Sequence, residues 1–231
     1  MPVLALDTST ESCSVALLLD GEVRLRTEIT ERSHADLVLP MVDSLLTEAG
    51  LALEDLDGIA FGRGPGAFTG LRIAAGVVQG LAFGAGLRVA PVSSLAAVAA
   101  QVPGAPGEVV LACNDARMGE VYWGVFRRDA DGLVSALAPE SVSAPDRVGE
   151  GAPPAAHAAG NALARHPALA ARLAAQGLQL HEGLLPRADA IARLGARVLA
   201  AGQGLPADQA LPVYVRDDVA RPPGGSVTGM Q

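Results

Sequence analysis

The sequence predicts an α/β protein of two lobes, in which mixed sheets are flanked by helices. Apolar runs of strand length alternate with longer segments of helical period in both halves of the chain. The 231 residues, half of them hydrophobic, suffice for one large core or for two lobes of about 100 residues each. A Pro- and Gly-rich stretch at 102–107 is typical of a linker. We therefore expect a first lobe at 1–104, a smaller second lobe at 105–216 and a flexible tail at 217–231.

The first lobe is expected to begin with three strands, at 3–7, 13–20 and 22–29. The last two are joined at Asp20-Gly21, a dipeptide that favours a two-residue hairpin turn. The lobe therefore starts as a meander of antiparallel strands.

A helix is predicted next, from a cap at Ser33 to a stop at Gly50. Asp36 falls in its first turn, and Pro40 is expected to kink it. The remaining elements of the lobe are two strands, predicted at 57–61 and 88–92, each followed by a helix. The first helix is predicted at 71–84, and the second runs from a cap at Ser93 to about 101.

The second lobe is expected to open with a pair of strands at 109–113 and 120–127. A loop is predicted to follow at about 144–161. Two helices, at 162–175 and 187–201, and a closing strand at 212–216 complete the lobe.

The segment from Gly62 to Gly70, Gly-Arg-Gly-Pro-Gly-Ala-Phe-Thr-Gly, joins a predicted strand to a predicted helix. Its four glycines and one proline indicate a tight backbone path, with Thr69 and Gly70 as the expected helix cap. Such a turn directs unpaired N–H groups outward and favours an anion or a partner. It is not a Walker loop, because that motif ends in Gly-Lys-Ser/Thr and all 17 basic residues of this chain are arginines.

The helix that follows has an unusual composition, because only Arg72 and Gln79 are polar between positions 71 and 86. This leaves it without a solvated face. Gly76, Gly80 and Gly84 recur every four residues and form a flat stripe. Two interpretations remain open: the helix is buried within its own lobe, or it forms a subunit interface.

Composition limits the function. A formal net charge of −8 and a pI near 4.9 argue against a broad basic surface for nucleic acid or anionic membrane. Cys13 and Cys113 lie in apolar runs and are predicted to be buried free thiols. The chain opens on a strand pattern without a basic leader, and no apolar stretch reaches spanning length, so we expect a cytoplasmic protein. The four histidines, which include no pair at helical spacing, predict no metal site.

Five blocks of sequence, in order along the chain, resemble the TsaB (YeaZ) family. The most specific is Gly64-Pro-Gly-Ala-Phe-Thr-Gly-Leu-Arg72. The other four are Ala5-Leu-Asp-Thr-Ser-Thr-Glu11, Arg32-Ser-His34 with Leu39-Pro40, Asp115-Ala-Arg117 with Glu120-Val-Tyr122, and Pro212 to Arg216.

The resemblance implies a two-lobed fold of the actin, hexokinase and Hsp70 (ASKHA) type. It also implies a role in placing threonylcarbamoyl on N6 of an adenosine next to the tRNA anticodon. In that system the catalytic subunit is the paralogue TsaD, which holds a metal through two histidines; the matching positions here are Ser94 and Val98. A hydroxyl and an isopropyl group are not ligands for such a metal. The chain is therefore expected to be a non-catalytic partner that dimerises with TsaD, activates it, helps to recruit the ATPase TsaE and meets tRNA mainly through the complex.

By the same resemblance, the first-lobe helices are expected to form the TsaD interface and, without TsaD, a homodimer. The residues predicted for this interface are His34, Leu37, Met41, Leu45, Leu71, Ala75, Gly76, Gln79, Gly80 and Phe83. The residues predicted to contact a nucleotide or anion are Asp7, Thr8, Ser9, Gly64, Gly66, Thr69, Gly70 and Arg72. We predict no catalytic or metal-binding residue and no cofactor of the chain's own; whether a nucleotide binds at the partner interface is left open by the sequence.

Two other functions, an autonomous kinase and a glycopeptidase, are the alternatives. An autonomous small-molecule kinase of the same superfamily would use Asp115 as base and the turn after Asp7 as phosphate loop. Bulky side chains fill the second expected phosphate turn, at 114–119, and count against it. A glycopeptidase would need a metal or an activated nucleophile, and the sequence shows neither.

Overall fold

The computed structural model describes residues 1–30 and 34–215 and contains two mixed sheets flanked by helices. The predicted α/β class is therefore confirmed. Arg32, the predicted cap at Ser33, Arg216 and the predicted tail at 217–231 lie outside the described residues.

The elements are numbered in chain order. The strands are β1 Val3–Asp7, β2 Ser12–Leu19, β3 Glu22–Ile29, β4 Gly58–Gly64, β5 Val89–Ser93, β6 Val109–Arg117, β7 Glu120–Arg128, β8 Val134–Ala136, β9 Ser141–Ser143, β10 His157–Gly160 and β11 Gln179–Glu182. The helices are α1 His34–Ala49, α2 Phe68–Ala85, α3 Ser94–Ala99, α4 Asn161–Arg165, α5 Pro167–Ala175 and α6 Ala188–Ala200, with 3₁₀ turns at Leu53–Asp55, Pro145–Arg147 and Ala207–Gln209.

The first sheet has the strand order β3-β2-β1-β4-β5. Strand β1 is antiparallel to β2 and parallel to β4, which is in turn parallel to β5. Successive side chains of β1 point to opposite faces, so Leu4 and Leu6 pack with α1 and α2 while Val3 and Ala5 pack with α3 and α6. The sheet is buried on both faces, which explains why β1 is apolar at consecutive positions up to Asp7.

The second sheet has the order β11-β10-β6-β7-β8, and β9 pairs with β7 outside this path. Strands β6 and β7 form the predicted antiparallel pair. The strands that the sequence did not predict, β8 to β11, have only three or four residues each. Such short runs carry too little periodicity to be distinguished from loop.

Helix α6 connects the two lobes in a way that the sequence did not predict. We assigned it to the second lobe, but it packs on the first sheet, where a Cβ at Gly195 would overlap the Cβ of Ala60. The backbone N–H of Ala188 donates to Ser14 Oγ at 2.9 Å. The apolar face of α6 belongs to a core that also includes residues of β6, β7 and β10, so one core spans both sheets.

Two local predictions are confirmed. Asp20 and Gly21 both adopt positive φ, 52° and 84°, as a two-residue hairpin with the favoured twist requires. Ser93 caps α3, since its hydroxyl accepts the N–H of Ala96 at 3.0 Å.

Three local predictions are wrong. Helix α2 begins at Phe68 behind an Ala67 N-cap, so Thr69 and Gly70 lie in its first turn rather than forming its cap. The helix predicted at 162–175 is divided into α4 and α5, because Pro167 suits a first helical turn and not a helix interior. The closing strand predicted at 212–216 is absent from its described part, 212–215.

Candidate functional site

The glycine segment between β4 and α2 packs directly on the turn that follows β1. A Cβ at Gly62 would overlap the carboxylate of Asp7, one at Gly66 would overlap Ser9, and one at Gly70 would overlap the carbonyl oxygen of Thr8. These glycines are spaced four apart, and each is required by contact with the chain's own backbone or with a buried side chain. They therefore serve close packing inside the lobe and do not form an open phosphate cradle.

The carboxylate of Asp7, predicted to contact a nucleotide or anion, is sealed. Asp7 is fully buried, and its two oxygens accept Ser9 N–H at 2.9 Å, Ser9 Oγ–H at 2.7 Å and Ser94 Oγ–H at 3.0 Å. Burial raises the pKa of Asp7 above its ordinary value, although these hydrogen bonds oppose the shift. The hydroxyl of Thr8 is also engaged, as donor to Gly70 O at 2.7 Å. The carboxylate of Asp7 is therefore occupied by the chain's own hydroxyls, whereas Thr8 and Ser9 line the cleft between the lobes and their predicted contacts with a ligand stay predictions.

A cleft of about 490 Å³ lies between the lobes, beside the start of α2. Five of the predicted anion contacts line it: Thr8, Ser9, Gly66, Thr69 and Gly70. Gly64 and Arg72 do not: Gly64 packs beneath the backbone of Val213, and Arg72 lies on the outer surface of α2. The predicted set is thus divided between the cleft and two other places.

The far wall of the cleft carries a cluster of charges. Asp115 lies 3.4 Å from His166 Nε2 and 3.7 Å from both Arg165 Nε and Arg117 Nε. Arg165 also reaches across the cleft to Glu11 at 3.1 Å. Asp115, the candidate base of the kinase hypothesis, is therefore held among cations, and Glu11–Arg165 is an ion pair between the lobes.

One polar side chain on this wall has no partner. Asn114 is buried, and neither its amide nitrogen nor its amide oxygen has a hydrogen-bond partner among the described residues. Leaving such a group unpaired costs about 1–3 kcal/mol.

The outward face of α2 is open. Gly76, Gly80 and Gly84 are exposed, and a Cβ added to any of them would meet no atom within 4 Å. Phe83 is 84% exposed on the same helix, and Phe68 is 43% exposed. The interpretation that α2 is buried within its own lobe is therefore wrong. The expectation that no apolar stretch reaches spanning length is wrong, because α2 is long and apolar enough to cross a membrane by length and composition alone. One such helix is weak evidence for a membrane span, and 33% of it is buried in the chain.

The structure corrects the predicted interface set. Leu45, Leu71 and Ala75 are buried in the core of the first lobe and cannot meet a partner directly. Gln79 donates to Ala210 O at 3.0 Å, so it holds the chain's own C-terminal segment. His34 lines the cleft.

Other members of the set, and residues outside it, remain accessible. Leu37 and Met41 are half-buried beside the core, whereas Gly76, Gly80 and Phe83 are exposed. Sequence reasoning missed Leu39 and Phe68, which are exposed large apolar residues of α1 and α2. A helical-wheel projection would have turned Leu39 away from the buried Val38 by about 100°, whereas Phe68 lies in the first turn of α2, where the wheel gives no such signal.

In the part of the chain that the structure describes, no group of three or more His, Cys, Asp or Glu side chains is arranged to hold a metal ion. His157 Nδ1 and His181 Nε2 lie 3.2 Å apart, and His157 Nε2 lies 3.3 Å from Glu108. Sequence spacing missed this pair because parallel pairing of β10 and β11 joins positions 24 apart. Burial, and then the nearby His157, lower the pKa of His181.

Cys13 and Cys113 are buried free thiols, as predicted. Burial raises the pKa of Cys13 to about 11 and that of Cys113 to about 12. Neither thiol is activated as a nucleophile.

Comparisons with known proteins identify the family of this chain. The family described as "TsaD: tRNA N6-adenosine threonylcarbamoyltransferase" matches residues 26–183. The "tRNA threonylcarbamoyladenosine biosynthesis protein TsaB" of Escherichia coli is 40% identical over 226 residues, 95% of this chain and 96% of that protein. TsaB of Haemophilus influenzae is 52% identical over 130 residues, 56% of this chain and 55% of that protein. The solved structure of YeaZ from Pseudomonas aeruginosa is 44% identical, with a TM-score of 0.81 over 92% of this chain and 99% of its own. The chain therefore belongs to the TsaB (YeaZ) family.

Proposed function

We propose that this chain is the non-catalytic partner subunit of the bacterial machinery that makes N6-threonylcarbamoyladenosine in tRNA, and that its binding surface is the exposed face of α1 and α2. The observation that carries the proposal is the open glycine row of α2. Glycines in a helix interior cost about 1 kcal/mol each relative to alanine. At Gly76, Gly80 and Gly84 none of the residues that the structure describes requires a glycine, so we attribute the requirement to a second backbone that approaches closely.

The occupant that fits best is a TsaD-type chain. The TsaD family match at residues 26–183 includes the whole of α1 and α2. A TsaD-type protein is thus expected to carry a corresponding pair of helices, and two such pairs can pack about a pseudo-twofold axis. The same reasoning allows two copies of this chain to pair when TsaD is absent, so the two assemblies compete.

The two carboxylates that could act as catalytic groups are both engaged by neighbouring side chains, which supports a non-catalytic role. Asp7 is buried beneath Ser9 and Ser94, and Asp115 is held by Arg117, Arg165 and the imidazole of His166. Chemistry at either carboxylate would require these contacts to break first. We propose that catalysis resides in TsaD, that the chain has no cofactor of its own and that any nucleotide binds at the partner interface.

The remaining roles follow from that position in the complex. The chain holds TsaD in a competent conformation and helps to recruit TsaE, and it meets tRNA mainly through its partners. Its net charge of −8 favours this division of labour, because tRNA binding rests on positive charge. The proposed compartment is the cytoplasm.

Reconstituted transfer of threonylcarbamoyl to tRNA tests the role. Purified TsaD, TsaE and the enzyme that supplies the activated threonylcarbamoyl group are assayed with this chain, without it and with Gly80→Arg in its place. We expect product only with the unaltered chain. Product made by this chain alone, or undiminished product when it is omitted, would refute the proposal.

The inter-lobe cleft leaves one alternative worth testing, an autonomous kinase. A ligand at 100 times its Kd stabilises a protein by about 2.7 kcal/mol. A thermal-shift titration with magnesium-ATP should give no such shift if the chain is non-catalytic. A saturable shift, abolished by Asp115→Asn, would favour the kinase instead.

A further inference from the structure

Arg72 is the one charged residue of α2, and it lies at the end of the glycine row. It precedes Gly76 by four residues, as Gly76 precedes Gly80, so all three occupy one stripe of the helix. Arg72 is exposed, like the glycines. An otherwise uncharged helical face therefore carries a single cation.

The guanidinium of Arg72 is held in place by two aromatic residues. Its Cζ lies 3.8 Å from the centre of the Phe68 ring, and its Nε donates to Tyr214 Oη at 3.1 Å. The two rings are themselves 5.2 Å apart. Val213 N–H, which donates to Arg63 O at 2.8 Å, fixes the segment that carries Tyr214. Most of the ordering that a flexible arginine would otherwise require on binding is thus already complete.

Among the described residues, no group bonds to the two terminal nitrogens of Arg72. No carboxylate of the described residues forms an ion pair with Arg72, whereas the neighbouring Arg63 is paired with Glu140 at 3.2 Å. Arg72 itself lines neither the cleft nor the neighbouring cavity to which Phe68 and Tyr214 contribute. Its charge therefore has no evident function inside the free chain.

Docking of the glycine row would remove water from this cation. A buried charge without a counter-charge is strongly destabilising. A planar guanidinium is best satisfied by a carboxylate, which accepts two parallel hydrogen bonds.

We propose that Arg72 is the charged anchor of the partner face, and that the TsaD-type partner presents an Asp or Glu side chain to its terminal nitrogens. This inference rests on the proposed function, which supplies the partner. It adds a specificity rule: a partner that packs on the glycine row without a carboxylate at this end is rejected.

The test measures the Kd of purified TsaD for the unaltered chain and for Arg72→Met, which keeps apolar bulk and removes the charge. We expect Arg72→Met to bind at least ten-fold more weakly, with a smaller dependence of Kd on salt. Arg72→Lys, which keeps the charge and loses the planar fork, should recover only part of the affinity. Tyr214→Phe, which removes the acceptor of Nε–H, should weaken binding less than Arg72→Met does.

The matched control is Arg193→Met. Arg193 is an exposed arginine on α6, which covers the opposite face of the first sheet, and its replacement changes the net charge equally. This variant should bind TsaD like the unaltered chain. A thermal melt confirms that each variant is folded.

The outcomes separate the two proposals. If the unaltered chain does not bind TsaD, the proposed function fails and this inference fails with it. If it binds and Arg72→Met binds equally well, only this inference is overturned. It is overturned too if Asp217→Asn/Asp218→Asn weakens binding as much as Arg72→Met does, because the carboxylate would then come from the chain itself. Loss of tRNA retention with unchanged affinity for TsaD would instead assign Arg72 to a phosphate and also overturn it.

Discussion

Replacing glycine by alanine at two positions of α2 should change stability in opposite directions. At Gly80 the new methyl group meets no atom within 4 Å, so the gain in helix propensity of about 1 kcal/mol is retained. That gain corresponds to a rise in Tm of about 2–4 °C for a protein of this size. At Gly70 the methyl group would overlap the carbonyl oxygen of Thr8. Because a backbone atom cannot move aside cheaply, we expect a cost near the upper end of the usual 1–3 kcal/mol for overpacking, and a net loss of about 2 kcal/mol.

Urea unfolding of Gly70→Ala, Gly80→Ala and the unaltered chain measures both signs in one experiment. Gly80→Arg extends the test, since arginine has nearly the helix propensity of alanine. It should keep most of the gain in stability while binding to TsaD weakens by 1,000-fold or more, about 4 kcal/mol. Destabilisation by Gly80→Ala would show that the row is already packed in the free chain. Normal binding of TsaD by Gly80→Arg would remove the row from the interface.

Three further predictions concern the interior. Burial raises the pKa of Asp7 above its ordinary value of 3.8, so its contribution to stability is complete below pH 3.8 and is lost as the pH rises through the raised pKa; Asp7→Asn should flatten the pH dependence of the unfolding free energy above pH 4, and an unchanged slope would contradict this. Cys13 and Cys113, with pKa values of about 11 and about 12, should resist a thiol reagent at pH 8 until urea unfolds the chain, whereas rapid labelling of the native protein would show that a thiol is accessible. Ser93→Ala removes the acceptor of Ala96 N–H and should cost about 1 kcal/mol in urea unfolding; a loss of only a few tenths would assign the cap to another group.

Sequence patterns predicted those elements whose signals are local. The hairpin at Asp20-Gly21 and the cap at Ser93 depend on residues within three positions, and both are confirmed. The alternation of side chains that explains the burial of β1 is equally local.

What the sequence could not predict depends on contacts between distant positions. Thr8 and Gly70 are 62 residues apart, yet their hydrogen bond closes the turn that the sequence suggested for phosphate. Helix α6 follows the second lobe along the chain but packs on the first sheet through Gly195 and Ala60. No periodicity within either segment specifies these partners.

The two glycine sets show where this limit lies. Gly62, Gly66 and Gly70 recur every four residues, and so do Gly76, Gly80 and Gly84, so the two sets are equivalent as sequence patterns. Among the residues at 1–30 and 34–215, each glycine of the first set is required by an atom that a Cβ would overlap, whereas a Cβ at any glycine of the second set would meet no atom within 4 Å. If the second set is retained for the same physical reason as the first, the atoms that require it lie outside these residues, and we attribute them to another molecule. The contacts of the first set thus indicate the kind of contact expected for the second set, which is a backbone of a partner at comparably close range.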